Sequence, residues 1–512
     1  MKVQFVYADQ AAGMIKDGST IGLIGGGSGL VEATLLHENI EKRFLDTGSL
    51  KGLTCIHALG IGDRENRGMN RFAHKGMVRR VIGGHWVWSP KMQQLARENN
   101  IEAYVLPGGV IMQLMREVAA NRPGLITHVG LGTFVDPHQD GGRMNEAAVD
   151  PLVERIKIDG KDYLRYLPIP IDVAILKGSC ADEEGNISLD EEPANLDIYA
   201  MAAAAHNSGG KVIFQVKKKV ATGSIPARSV RIPSAIVDAV VVDPEQRQSY
   251  ELIYDSSISG ERKNETLQPD YPEFSLRLII ARRACEELKE GNVINYGFGI
   301  PDQVAAIVAA EDRQNSYYQT IEHGTYGGSL LSGNLFGFAR NPSCMIDGPS
   351  QFDFYSGGGL DTAFLGFGQI DCEGNVNVSK LAGVTVGPGG FIDIAQNARK
   401  VVFCGTFDTK GTDIKTGHGR LEINKNGKVC KFVEAVDQIT FSGKQALFQG
   451  QEVLYVTERA VFLLKKEGLE LLEIAPGVEM EKDVIDQMKF KPLISESIGT
   501  MNSKFFTDEK HA

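Results

Sequence analysis

The sequence predicts an α/β protein built from two similar open α/β domains that arose by internal duplication, and three observations predict it. The text "ADEEGNISL" from Ala181 recurs as "IDCEGNVNVS" from Ile370, both reading D-x-E-G-N ahead of a β-type run. "GGKVIFQV" sets Lys211 before a strand as "ARKVVFCG" sets Lys400, and both repeats keep one step of 189 residues (374 − 185 and 400 − 211). Two matches at one offset and in one order mark a duplicated unit. Each half also alternates short β-branched runs with helical stretches, the pattern of layered α/β structure.

Taken in chain order, "DGSTIGLIGGG" from Asp17 and "EGNVINYGFGIP" from Glu290 both read as turn, strand and glycine loop, at a step of 273 (291 − 18). The first half therefore carries about 84 additional residues (273 − 189), expected between Gly60 and Gly160. "LDIYAMAAAAHNSGG" from Leu196 reads as a helix that stops before the Lys211 strand. The polar, proline-bearing "GERKNETLQPDYPE" from Gly260 reads as a connector. It divides the chain into domains at 1–260 and 273–512 with a linker at 261–272. "FSLRLIIARRACEELKEG" from Phe274 reads as a helix. So does "DQVAAIVAAED" from Asp302, behind Pro301, with Val304, Ile307 and Val308 on its buried face. In "YYQTIEHGTYGG" from Tyr317, strand-forming residues run into Gly324, Gly327 and Gly328, which places Glu322 at a strand end facing a crevice.

With 512 residues, 42% hydrophobic and 23% charged, the composition is that of a globular protein, and a net charge of −11 argues against a nucleic-acid partner. An anionic ligand has to be held by local donors against that field. Seven scattered cysteines without a C-x-x-C pair and ten histidines without H-E-x-x-H support neither a metal site nor a disulfide framework. No apolar segment nears the ~18 residues of a membrane span, and the first residues lack the apolar core of a signal peptide. The expectation is a soluble, reduced, cytoplasmic protein with no membrane partner. None of the Gly-Lys pairs at Gly160, Gly210, Gly427 and Gly443 is followed by Ser or Thr, which excludes a P-loop. "IGGGSGL" from Ile24 and "GFGIPD" from Gly297 do not complete G-x-G-x-x-G, so a dinucleotide reading is weak. Close packing of strand ends against helices accounts for many of the glycines. The runs "GGGLDTAFLGFG" from Gly357, "GPGGFIDIA" from Gly387 and "GFGIPD" are nevertheless expected to gather beside Glu322. Bare N–H groups there can approach a phosphate or an oxyanion.

The glutamate text "TIEHGTYGG" resembles the motif T-[VI]-E-x-G-x-x-G-G of the family I coenzyme A transferases, closest to the single-chain acetate and propionate CoA-transferases. The likeness runs through almost the whole chain, including "GGHWVWSPKM", "VGLGTFVDP", "NYGFGIPD" and "GPGGFIDIAQNARKVVF". It implies transfer of CoA from a short-chain acyl-CoA to a free carboxylic acid, by a ping-pong route through a glutamyl-CoA thioester. CoA would be substrate and covalent intermediate, with no tightly bound cofactor and no metal, in a homo-oligomer. By the same resemblance Glu322 is the nucleophile and the amides of Gly389 or Gly390 stabilise the oxyanion. Gly297, Phe298, Gly299, Ile300, Pro301 and Gly389 contact CoA, and Lys410 is either a phosphate partner or a plain surface charge. One departure stands out. Many relatives carry a glutamine in a P-Q-G loop, where "YVLPGGVIMQL" has Gly108. The Gly108 or Gly109 amide could replace that donor, or Gln113 could reach in, although Gln113 otherwise reads as an ordinary helix residue. His323 points to the opposite strand face and reads as structural. Tyr326, Phe336 and Phe354 suggest a small acyl pocket, with a core position favoured for the two phenylalanines. An acyl-CoA hydrolase on the same scaffold, or an inactive acyl-CoA-binding protein, are the alternatives.

Overall fold

The computed structural model describes residues 2–264 and 270–509, so that 265–269 of the expected linker lie outside the described residues. Two ten-stranded sheets carry the fold. The first runs, in spatial order, Gln4–Phe5, Ala239–Val242, Lys211–Val220, Val173–Asp182, Thr20–Leu23, Leu53–His57, Val78–Gly83 and Glu102–Tyr104, all parallel. The second has a parallel centre of Tyr318–Ile321, Val293–Tyr296, Thr362–Gly366, Lys400–Cys404 and Glu452–Val456, with antiparallel neighbours on both sides. Every residue of the central strand Val173–Asp182 is buried, as a parallel strand covered on both faces requires. Lys177 within it keeps its charge paired, 3.0 Å from Glu192 and 2.6 Å from the Arg247 carbonyl.

The duplication holds residue by residue. Ile21 pairs with Val173 in the first sheet and Ile294 with Thr362 in the second; Lys211 pairs with Val173 as Lys400 pairs with Thr362. The local chemistry repeats as well. Asp182 accepts the amides of Glu184 and Asn186 at 3.0 and 2.9 Å, and Asp371 accepts those of Glu373 and Asn375 at 3.1 and 3.0 Å. Asp172 caps the amide of Thr20 at 2.7 Å where Asp361 caps that of Val293 at 2.9 Å. The step is still 264 at Cys55 (319 − 55), so most of the additional length enters between Cys55 and Val173. It forms the strands Val78–Gly83 and Glu102–Tyr104, the helix Gly108–Ala119, and a three-stranded sheet of Leu125–Thr127, Val153–Ile158 and Lys161–Tyr166.

The helices expected from periodicity form. Leu276–Cys285 starts at Ser275, whose hydroxyl accepts the Leu278 amide at 3.3 Å, and Ile198–Asn207 ends before the Lys211 strand. Ile300–Ala310 has Pro301 in its first turn and buries Val304, Ile307 and Val308. One expectation needs correcting. Gly357–Gly359 precede the strand Thr362–Gly366, and so lie at the opposite edge of the parallel sheet from Glu322; only Gly366 and Gly368 reach the Glu322 edge.

Gly324 shapes the turn that carries Glu322. Its φ is +110°, and a Cβ there would lie 2.3 Å from the Ile346 carbonyl oxygen. Gly324→Ala is expected to cost about 1–3 kcal/mol of stability, read from urea unfolding midpoints at unchanged slope.

Candidate functional site

In the second sheet the strand order reverses about Val293–Tyr296: the next strand in sequence lies on one side of it, and Thr362–Gly366 on the other. Such a switch point opens a crevice at the C-terminal strand ends. The loop Gly297–Pro301 leaves from that strand. The Gly297 amide continues the ladder onto the Phe364 carbonyl at 2.7 Å, and Gly299 turns with φ +99° to start the helix Ile300–Ala310. At the start of that helix the Gly299 amide donates to the Asp302 carboxylate at 3.2 Å, and Pro301 contributes no N–H.

Glu322 follows the strand Tyr318–Ile321 immediately and opens a tight turn, closed by pairing of Ile321 with Thr325. Its carboxylate lies against the loop Gly387–Gly390. A Cβ at Gly390 would sit 2.1 Å from Glu322 Oε2, so only glycine admits the carboxylate there. Burial pushes the Glu322 pKa up to about 7, opposed by a hydrogen bond from the Gly390 amide. Phe352, fully buried, closes the other side of Gly390. Next to it the buried Asp393 carboxylate accepts the amides of Gly109 and Val110, each at 3.1 Å, and burial together with the Glu322 charge holds its pKa well above the usual carboxylate range.

The donors expected around Glu322 are differently occupied. The Gly108 amide donates to the Gly389 carbonyl at 2.7 Å, and the Gly389 amide to the Gly84 carbonyl at 2.8 Å. Gln113 donates to Asp353 at 2.8 Å, as an ordinary helix residue would. Gly390 is the residue whose amide faces the Glu322 carboxylate. His323 is buried, with Nε2 2.7 Å from the Gly337 carbonyl oxygen, and burial pulls its pKa down to about 4. Phe298 stands 51% exposed on the Gly297–Pro301 loop, edge-on to a half-buried Phe336 at 5.3 Å between ring centroids. Phe354 is 40% exposed, so neither Phe336 nor Phe354 is a core residue. Lys410 stands apart. It is an exposed turn residue with φ +65° beside the short strand Asp408–Thr409, and among the described residues no hydrogen bond or ion pair joins it to Glu322 or to the Gly297 loop. Asp393 and Phe352 were not singled out from the sequence. The signal for Asp393 was its place three residues after Gly390, in the first turn of the helix Phe391–Ala395.

The arrangement sets a partly desolvated carboxylate against an amide donor at a domain junction, near the glycine loop that opens the helix Ile300–Ala310. That equipment suits attack on an acyl carbonyl and stabilisation of the resulting oxyanion.

Comparison with known proteins gives the same direction. Residues 5–243 match the family model described as "Coenzyme A transferase". The acetate CoA-transferase YdiF of Escherichia coli K12 is 40% identical over 99% of this chain and 96% of its own length. The caffeate CoA-transferase of Acetobacterium woodii is 42% identical over 99% of this chain and 98% of its own. The crystal structure of the YdiF acyl-CoA transferase of E. coli O157:H7, solved as a thioester complex with CoA, superposes with a TM-score of 0.94 at 40% identity, covering 99% of this chain and 97% of that one. Likeness of this extent in sequence and in fold makes the chain a member of the coenzyme A transferase family.

Proposed function

We propose that the protein moves CoA from a short-chain acyl-CoA to a free carboxylic acid such as acetate or propionate, with Glu322 as nucleophile. The observation that carries this reading is the Glu322 carboxylate lodged against the Gly390 amide at the junction of the two sheets. Glu322 attacks the thioester carbonyl, the C–S bond breaks, and CoA leaves as the thiolate. The thiolate attacks the glutamyl carbonyl of the mixed anhydride, the acid departs as its carboxylate, and a glutamyl-CoA thioester remains. A second carboxylate reverses the sequence, so no proton has to cross to solvent and the thioester energy is kept. Two half-reactions on one enzyme give ping-pong kinetics. The Gly390 amide serves the oxyanions of these steps. The Gly108 and Gly389 amides join it only when their bonds to the Gly389 and Gly84 carbonyls open. Gly297, Phe298, Gly299, Ile300 and Pro301 line the CoA side. The aromatic faces of Phe298 and Phe336 and the 42% identity to a caffeate CoA-transferase support a second reading, an aromatic acid as acceptor. The same proposal takes the enzyme as a cytoplasmic homo-oligomer with domains at 1–260 and 273–512; neither ten-stranded sheet draws a strand from the described residues of 261–272.

Incubation with acetyl-CoA and no acceptor acid is expected to add one covalent CoA, seen in the intact mass and lost in Glu322→Ala. Propionate discharges it on the first reading, and caffeate on the second. Free CoA accumulating without an adduct would replace transfer by hydrolysis, and neither adduct nor turnover would leave a binding protein. Because the nucleophile must be ionised, kcat/KM for acetyl-CoA should climb about tenfold per pH unit below about 7 and level above it. An ordinary exposed glutamate would already level by about pH 5. Gly390→Ala pushes a methyl group into the carboxylate and should lower kcat at least about 100-fold, with circular dichroism unchanged.

A further inference from the structure

The glycine text "IGGGSGL" and Trp88 of "GGHWVWSP" remain without a role in the chemistry above, and the structure brings them together. A Cβ at Gly27 would lie 2.2 Å from the Trp88 ring, and one at Gly60 would lie 2.7 Å from it. The two glycines therefore form the slot that seats this indole. On the ring lies Arg64, its guanidinium carbon 4.3 Å from the ring centroid. The same carbon is 5.9 Å from the centroid of Phe298, which belongs to the Gly297–Pro301 loop of the other sheet. Arg64 thus stands at the mouth of the crevice between the two sheets, on the side where the CoA loop opens.

The backbone is arranged to hold it there. Arg64 has φ +70°, a left-handed conformation uncommon outside glycine, and its amide donates to the Trp88 carbonyl at 2.9 Å. Asp63 Oδ1 accepts the amides of Glu65, Asn66 and Arg67 at 2.9, 2.8 and 2.9 Å, which pins the loop on either side. Nearby cations are spoken for: Arg67 faces Asp63 at 3.8 Å, and Arg71 pairs with Glu38 and Glu41 at 2.7 Å. The Arg64 side chain is exposed and, among the described residues, has neither an ion-pair nor a hydrogen-bond partner. Inward from Trp88, the ring of His85 lies over Gly60, and His85 Cβ would be 3.8 Å from a Cβ on Gly389, whose other neighbour is Glu322. A continuous wall therefore leads from the guanidinium to the nucleophile.

We infer that Arg64, stacked on Trp88, is a substrate-binding residue that grips an anionic group of the bound substrate at the mouth of the crevice. Five N–H donors in a plane, already oriented by stacking, match a phosphate or a carboxylate. The opposing net charge of −11 makes such a local cation necessary for a polyanionic ligand. The group is either a phosphate of CoA or the distal carboxylate of a dicarboxylic acyl group. The inference rests on the CoA-transfer reading above.

The test compares wild type with Arg64→Gln. Calorimetric titration gives Kd for CoA and for pantetheine, which lacks the phosphates; initial rates give kcat/KM for succinate and for propionate as acceptors. A loss of CoA affinity of about 10- to 100-fold with pantetheine unaffected assigns the phosphate. Unchanged CoA affinity with a comparable fall for succinate and none for propionate assigns the carboxylate. Equal behaviour of the two proteins in all four measurements overturns the inference, and an equal loss for pantetheine also does so, since it would report a changed cleft. Thermal unfolding at the wild-type temperature guards against a folding defect. The titrations need no turnover, so wild-type protein that binds CoA but transfers none would sink the transfer reading while leaving the Arg64 comparison legible.

Discussion

The structure of the site depends on one junction, where the helix Gly108–Ala119 of the first sheet's layer points its N-terminus at Asp393 of the second. Two unsatisfied helix amides, of Gly109 and Val110, find a buried carboxylate, which is the partner such an end requires. Around it the chain crosses back and forth through backbone bonds from Gly108 to Gly389, from Gly389 to Gly84, and from Trp86 to the Val386 carbonyl. Gln113 and Arg116, further along the helix, continue the seam onto Asp353, Arg116 at 2.6 Å. The loop Gly387–Gly390 is thereby fixed from both sides, and the Gly390 amide acquires a defined place over the hairpin tip. Replacing either buried partner would leave the other unsatisfied, a cost that bears on both domains at once.

That junction also governs the electrostatics. Burial drives Glu322 and Asp393 toward their neutral forms. Asp393 receives two amides and half a helix dipole in compensation, whereas Glu322 receives little more than the Gly390 hydrogen bond. Asp393 is nevertheless held well above the usual carboxylate range, whereas Glu322 reaches only about 7, so Glu322 is the one of the two that ionises near neutral pH.

What the sequence disclosed was local. Asp182 with Asn186 and Asp371 with Asn375 organise their own turns within five residues, so the duplication could be read from spacing. Glu322 was legible because Gly324, Gly327 and Gly328 all take positive φ, and glycine marks such positions in any sequence. Phe352 and Arg64 acquire meaning only through residues far off in the chain or from the opposite sheet, and nothing in their immediate text signals it; Asp393 had only its place just after Gly390, while its partners lie hundreds of positions away. The core position favoured for Phe336 and Phe354 failed for the same reason. An aromatic residue reads as core until the fold shows that its neighbours leave it uncovered. The glycines at 357–359 were grouped with the crevice because their number was visible, while the end of the strand they occupy was not.

The duplicated registers carry one consequence further. Thr54 pairs with Thr20 as Tyr318 pairs with Val293, so counting four residues on brings Ala58 to the position that Glu322 holds in the second sheet. Ala58 is buried, and a Cβ on Gly84 would meet its carbonyl oxygen at 2.0 Å. Where one copy of the ancestral crevice bears the Glu322 carboxylate, the other is filled by backbone lying against the junction. The two copies have become unequal: one holds the carboxylate, and its twin has turned into the wall that closes over it. A chain with two homologous crevices is thereby limited to a single equivalent of any group carried on that carboxylate.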